Sequence, residues 1–418
     1  MPRLSPFRGL VFDAAVVGPL DRVTAPPYDV ISDRRRAEYL DGSPFNVVHL
    51  DLADGSTDPA DPRSRYARAA ELLTEWERAG ALTRADEPTL YVYEMWVSGA
   101  ADVSRTGEGD EVPAPRAVRG LICAMELEDW GGTVLPHERV MPGPVDDRLA
   151  LLRATHTHLS PVYGTVDGPD DRLDDFLHAV ASTDTRFETV DEQGVRHRMW
   201  PVRGDAIDLD HLTGERLLIA DGHHRYTTAL RYRNEQRDRL GAGPWDRVLT
   251  LVVDATAEHL PVLPFHRVQL AGTPPPAVGE PVADLPEAMA ALDDDRCTVA
   301  TVTLDADGHQ RYRVRTLVAA PPAVVALHEE VLDALAPEGA LRYLADPAEA
   351  DATVRRGDAV AAYLLPPTTP DRIRGAVEHG ERLPQKSTYF WPKPRTGMVM
   401  MPLERDRVPA QGRPGRAS

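Results

Sequence analysis

Lysine is almost missing from this chain. Of 47 basic residues only Lys386 and Lys393 are lysine, and arginine supplies the rest. Cysteine is as scarce: Cys123 and Cys297 are the only two, and neither belongs to a C-x-x-C pair. That excludes a disulfide scaffold or zinc ribbon and makes a reducing cytoplasm the expected compartment. No apolar run approaches the ~20 residues of a membrane span. Residues 1–10 carry Pro and Arg and lack the apolar core of a signal peptide. Positive charge is short overall, with 66 acidic residues giving a net charge of -19. Non-specific nucleic-acid binding needs a basic face, so neither nucleic acid nor membrane is an expected partner.

Several chemistries also lack their signatures. His137-Glu138 has no second His four residues on, so the H-E-x-x-H zinc motif is absent. His156, His158, His223 and His224 have no thiolate partners in sequence. Ser160 and Ser387 are not in G-x-S-x-G, which removes the hydrolase elbow. There is no G-x-x-x-x-G-K-[ST] and no G-x-G-x-x-G after a strand. A phosphate site here needs another design, and the residues that would ligate a metal stay undefined.

What is present centres on residues 219–230, I-A-D-G-H-H-R-Y-T-T-A-L. The apolar run from Leu217 to Ala220 predicts the end of a buried strand. Asp221-Gly222 turns the backbone, and from Tyr226 the spacing of Ala229, Leu230 and Tyr232 predicts a helix to about Leu240. Two imidazoles and a guanidinium therefore stand at a helix N-terminus. Free backbone N–H groups and the helix dipole favour an anion there, and the planar fork of Arg225 suits a phosphate.

At 418 residues two or three domains are expected. Strands and helices alternate throughout. An N-terminal α/β unit is assigned to 1–115, a central unit to 116–270, a C-terminal α/β unit to 271–403 after a Pro-rich linker, and a disordered tail to 404–418. Ser32 and Ser64 are expected N-caps. Residues 7–17 read as a strand-like opening, 46–50 as a short strand, 99–115 as a loop and 323–334 as a helix. Four polar clusters fall at expected strand ends: Tyr28-Asp29, His137-Glu138 with Asp147-Arg148, 221–225 and 386–393. Ligands collect at such ends in α/β folds.

The motifs P-P-Y-D-V-I at 26–31, N-V-V-H-L at 46–50, His137-Glu138 with Asp147-Arg148, and S-P-V-Y at 160–163 resemble those of a large bacterial and archaeal family filed as a domain of unknown function. A-D-G-H-H-R-Y at 220–226 and K-S-T-Y-F-W-P-K at 386–393 continue the resemblance. Arg139 departs from it, standing where the pattern carries threonine. The D-G-H-H-R piece is also similar to the phosphate-binding turn of the ParB/sulfiredoxin-like fold, which includes partition proteins, sulfiredoxins and free-serine kinases. The resemblance implies a mixed α/β (α+β) fold, a ParB/sulfiredoxin-like core with additional α/β domains. It implies ATP-dependent phosphoryl transfer to a small hydroxyl metabolite, free L-serine first, yielding O-phosphoserine. In that reading Asp221, Gly222, His223, His224, Arg225, His137 and Arg148 bind the nucleotide. The catalytic set is Glu138, Asp29, His223 and Lys386. Lys386 neutralises developing charge, Glu138 serves as base in preference to Asp29, and Mg2+ bridges the phosphates. The alternative is an ATP- or CTP-binding switch or adaptor with little turnover.

Overall fold

The computed structural model describes residues 1–98, 115–166, 170–185, 187–254, 260, 262–294, 296–317 and 341–403. The loop expected from residue 99, the helix expected at 323–334 and the tail after 403 lie outside them.

The architecture is mixed α/β. A nine-stranded sheet forms the centre, built from β1 (Leu4–Ser5), β2 (Thr89–Val97), β3 (Arg116–Glu126), β4 (Val134–Pro136), β5 (Val162–Val166), β6 (Phe187–Val190), β7 (Arg196–Arg203), β8 (Leu217–Asp221) and β9 (Arg247–Asp254). Its order is β4-β8-β5-β9-β3-β2-β7-β6, with β1 beside β3. Only β8 with β4 and β9 with β5 run parallel. The inner strands read as apolar runs because both faces are covered. On β3, Leu121, Cys123 and Met125 pack one way, while Ile122 and Ala124 pack the other, the two-residue period of a strand.

Five helices accompany the sheet: α1 (Asp33–Gly42), which packs beside Val47 and Val48, α2 (Arg65–Arg78), α3 (Pro142–Thr155), α4 (Asp171–Ala181) and α5 (His223–Leu240). Ser32 and Ser64 cap α1 and α2 as expected, accepting from the Arg35 and Ala67 N–H groups. Leu173 and Leu177 of α4 and Tyr226, Ala229 and Leu230 of α5 pack on one face of the central sheet.

A six-stranded antiparallel sheet follows, from β11 (His266–Gln269), β12 (Glu280–Val282), β13 (Thr298–Leu304), β14 (Gln310–Thr316), β15 (Leu341–Leu344) and β16 (Ala361–Leu364), in the order β12-β14-β13-β16-β11-β15. β10 (Val262–Pro264) leads into it and pairs instead with β17 (Thr388–Phe390). The segment 383–403 then returns across the central sheet. Leu383, Phe390, Trp391, Met398 and Val399 bury into the same cluster as Leu249, Leu251 and Val253 of β9. Among the described residues no helix is long and apolar enough to cross a membrane.

Three local expectations change. Residues 46–50 form no strand: Val48–Asp51 is a short helix, and the Asn46 side chain accepts the Val48 N–H at 3.0 Å. A short apolar run does not distinguish the two by period. The opening strand is confined to Leu10–Phe12, after which Asp13 caps the short helix Ala14–Val17. The helix of the central motif starts at His223, three residues earlier than expected from Tyr226, so both imidazoles lie within its first turn.

Candidate functional site

Strand β8 loses register with β5 between Ile219 and Asp221. A bulge re-aims the side chain that follows it, here Asp221. Gly222 then takes φ +93° and α5 begins. A Cβ at Gly222 would stand 3.1 Å from the Arg225 guanidinium, in a backbone region that L residues rarely adopt. Gly222→Ala is therefore expected to cost about 1–2 kcal/mol and to displace Arg225, measurable by denaturant unfolding. Wild-type stability would show that the turn relaxes freely.

Each charged side chain of the turn has a partner. Arg225 bonds to Asp221, to the Pro161 carbonyl and to Ser160 Oγ at 3.2 Å. Asp221 also binds Lys393 Nζ, and Lys393 is buried rather than solvated between its two prolines. Burial acts to lower the Lys393 pKa, but Asp221 and Asp29 outweigh it and the value is raised. The two imidazoles act as acceptors. His223 Nε2 accepts the His137 N–H at 3.2 Å, and His224 Nε2 accepts the Met141 N–H at 3.0 Å. Burial holds both below the ordinary histidine value, with the His137 charge adding at His223 and Lys386 at His224. Both rings tie α5 to the 137–141 loop through their Nε2 atoms.

Lys386 has φ +54°, a left-handed conformation unusual outside glycine. It lets three successive N–H groups converge. The Glu138 carboxylate sits in that nest, accepting from the Lys386 N–H at 3.2 Å, the Ser387 N–H at 3.1 Å and the Thr388 N–H at 3.0 Å. The Thr388 hydroxyl lies 2.8 Å from Glu138 Oε1 and 2.6 Å from His137 Nε2, while His137 Nδ1 donates to the Ile219 carbonyl at 2.7 Å. Burial works to raise the Glu138 pKa, but His137 and the Thr388 hydroxyl hold it well below the usual carboxylate range. So strongly stabilised a carboxylate is a poor proton acceptor. The carboxylate clamps the 386–388 backbone.

Lys386 Nζ bonds to the Asp29 carboxylate and lies 5.3 Å from the Phe265 ring centre. Burial opposes ionisation of Asp29, yet Lys386, Lys393 and Arg225 hold it far below its ordinary pKa. Arg148 stands apart. It is buried against Asp51 Oδ1 at 2.6 Å and Asp147 Oδ2 at 2.5 Å, with the Tyr28 ring 4.3 Å away. Its guanidinium nitrogens are all engaged, so it braces Tyr28 from behind and does not reach the cleft.

The fold thus gathers Asp29, Glu138, Asp221, Gly222, His223, His224, Arg225, Lys386 and Lys393 around one small cleft. His137 supports it from beneath, and Arg148 lines a neighbouring cavity with Tyr28, Asp51 and Arg225. Thr388 lies in the cluster at 386–393 singled out from sequence, whereas Phe265 was not singled out as a site residue. Phe265 carried no polar signal at all. Arg225, Lys386, Lys393 and the α5 N-terminus offer positive potential for a phosphate chain. The carboxylates of Asp29 and Asp221 have the donor chemistry of magnesium, which commonly takes one or two carboxylates together with phosphate oxygens. Among the described residues, the one set of three candidate metal ligands lies elsewhere, at the half-buried Asp305 and the exposed Asp307 and His309.

A family model described as "Protein of unknown function (DUF1015)" matches residues 4–317. No curated protein matches the chain. Among solved structures, a free serine kinase in complex with AMP is 14% identical, the match covering 64% of this chain and 89% of that one at a TM-score of 0.36. SbnI with a C-terminal truncation, from Staphylococcus aureus, is 12% identical, with 66% and 85% covered and a TM-score of 0.35. A conserved hypothetical protein from Pyrococcus furiosus is 13% identical, with 62% and 90% covered and a TM-score of 0.31.

Proposed function

Since the chain belongs to the DUF1015 family of proteins of unknown function, we propose its activity from the site itself: phosphoryl transfer from ATP to the hydroxyl of a small metabolite, free L-serine before others. One observation carries the reading. The N-terminus of α5 opens into a cleft where Arg225, Lys386 and Lys393 converge beside two carboxylates. Oriented N–H groups and cations around a polar cleft are what a transferring phosphoryl group requires. The preference for serine comes from the likeness of D-G-H-H-R to the turn of free-serine kinases.

In this reading Lys386 and Lys393 turn from Asp29 and Asp221 to the phosphates, and Arg225 orients them. Asp29, relieved of Lys386, recovers basicity and accepts the hydroxyl proton. The hydroxyl oxygen forms the new bond to the γ-phosphorus, the bond from that phosphorus to the β,γ-bridging oxygen breaks, and ADP leaves. Magnesium, when bound, would be held by Asp221 with the phosphate oxygens and would supply charge neutralisation. Asp29 is preferred as base because its partner is a side chain that a phosphate can draw away. Glu138 is held by backbone.

The test is incubation with Mg-ATP and each free amino acid, followed by phosphorus NMR for O-phosphoserine. If serine, threonine and homoserine all leave ATP consumption unchanged, this substrate class is wrong. A thermal shift with ATP or CTP without product would favour a nucleotide switch. Arg225→Ala is expected to weaken Mg-ATP about tenfold, read by calorimetry. Unchanged affinity would remove Arg225 from the phosphate site.

A further inference from the structure

Beside the small polar cleft lies a larger one of about 1250 Å3. It opens between residues 29–34, β10 and the outer strand β15 of the six-stranded sheet. The two clefts share Asp29, Phe265 and Lys386 as wall residues. Resting on the phosphoryl-transfer reading above, we infer that the larger cleft takes the nucleoside of the phosphoryl donor, with the nucleobase against Tyr343, Phe265 and Tyr389.

Three observations lead there. The first is chemistry of the wall. Leu263, Phe265, Tyr343, Leu344 and Tyr389 line it, and small-molecule sites bury a flat apolar group against such surfaces and fix it with few polar contacts. A free amino acid is a compact zwitterion with little apolar surface to bury there. The second is order. The Phe265 and Tyr389 rings meet edge to face with centres 5.3 Å apart, and the buried Arg267 guanidinium lies 4.9 Å from the Tyr343 ring centre. These rings are already positioned, so ordering them on binding costs little. The third is charge. The larger cleft's lining carries carboxylates at Asp29, Asp33, Asp346 and Glu349 against cations at Arg34, Arg342 and Lys386. A polyphosphate gains nothing there and is drawn past the Asp29–Lys386 pair to the α5 N-terminus, while an uncharged nucleoside is tolerated. The donor would then bridge the two sheets, its phosphates on the central one and its base on the C-terminal one.

Calorimetric titration of the full chain with Mg-ATP and with Mg-tripolyphosphate separates the two halves of the ligand. Tyr343→Ala removes a ring, Tyr343→Phe keeps it, and Ala345→Trp fills the cleft from a position that lines only the larger cavity. Tyr343→Ala and Ala345→Trp are expected to weaken ATP about tenfold while tripolyphosphate stays within about twofold of wild type. Tyr343→Phe should bind both as wild type does, and retained tripolyphosphate binding reports that the variants are folded. If wild type binds tripolyphosphate as tightly as ATP, or if Ala345→Trp binds ATP normally, the inference is overturned while the phosphate site stands. If wild type binds neither ligand, the phosphoryl-transfer reading falls with it.

Discussion

Lys393→Met is expected to lower the unfolding free energy by about 3 kcal/mol, because it leaves a buried carboxylate short of a partner. The side chains of Lys393, Asp221 and Arg225 are only 6%, 13% and 11% exposed. Desolvating such groups is tolerable only while the charges compensate. Removing Lys393 leaves Asp221 to Arg225 alone, and it takes a second cation from Asp29, whose ionised form Lys393 also favours. The cost should stay at the lower end of the range for a broken buried pair because Arg225 remains. The double variant Asp221→Asn with Lys393→Met should recover little of the loss, since Arg225 then stands buried without its carboxylate partner. Guanidinium unfolding of wild type and the two variants checks this. A single variant within about 0.5 kcal/mol of wild type would mean that water reaches the pair.

Glu138→Gln should cost about 2 kcal/mol, the scale of hydrogen bonds to a charged acceptor. It should also strip hydrogen-exchange protection from the amides of 386–388. Glutamine offers one acceptor oxygen and turns its NH2 group toward a backbone N–H. Either the Lys386 N–H or the Ser387 and Thr388 N–H groups must then lose their acceptor. Lys386 would leave its left-handed conformation, and its ammonium would no longer be held over the cleft. The pH dependence has a defined sign. The folded carboxyl of Glu138 titrates below its ordinary value, so its contribution is complete above about pH 4.3 and fades as pH falls further. The gap between wild type and Glu138→Gln should therefore be widest near neutrality and close in acid. A gap that grows on acidification, or amides 386–388 as protected in the variant as in wild type, would show that the nest does not need the charge.

Local patterns settled much of this protein. The buried strand, the glycine turn and the helix of 217–240 followed from apolar spacing, and Ser32 and Ser64 could be read as caps, because these depend on neighbours within a few residues. The scarcity of lysine alone sets Lys386 apart from the other cations of the chain. Tertiary packing decided what those residues do. Lys386 finds Asp29 across 357 residues and Lys393 finds Asp221 across 172. Glu138 and Arg148 show the same divide. In sequence each is a plausible site charge beside a strand end, but one is held by the 386–388 backbone and the other is locked between Asp51 and Asp147. Spacing tells which face of an element a side chain leaves from, and nothing about the charge waiting there. Burial makes that partner decisive, because an ionised group away from water is stable only with its counter-charge in contact.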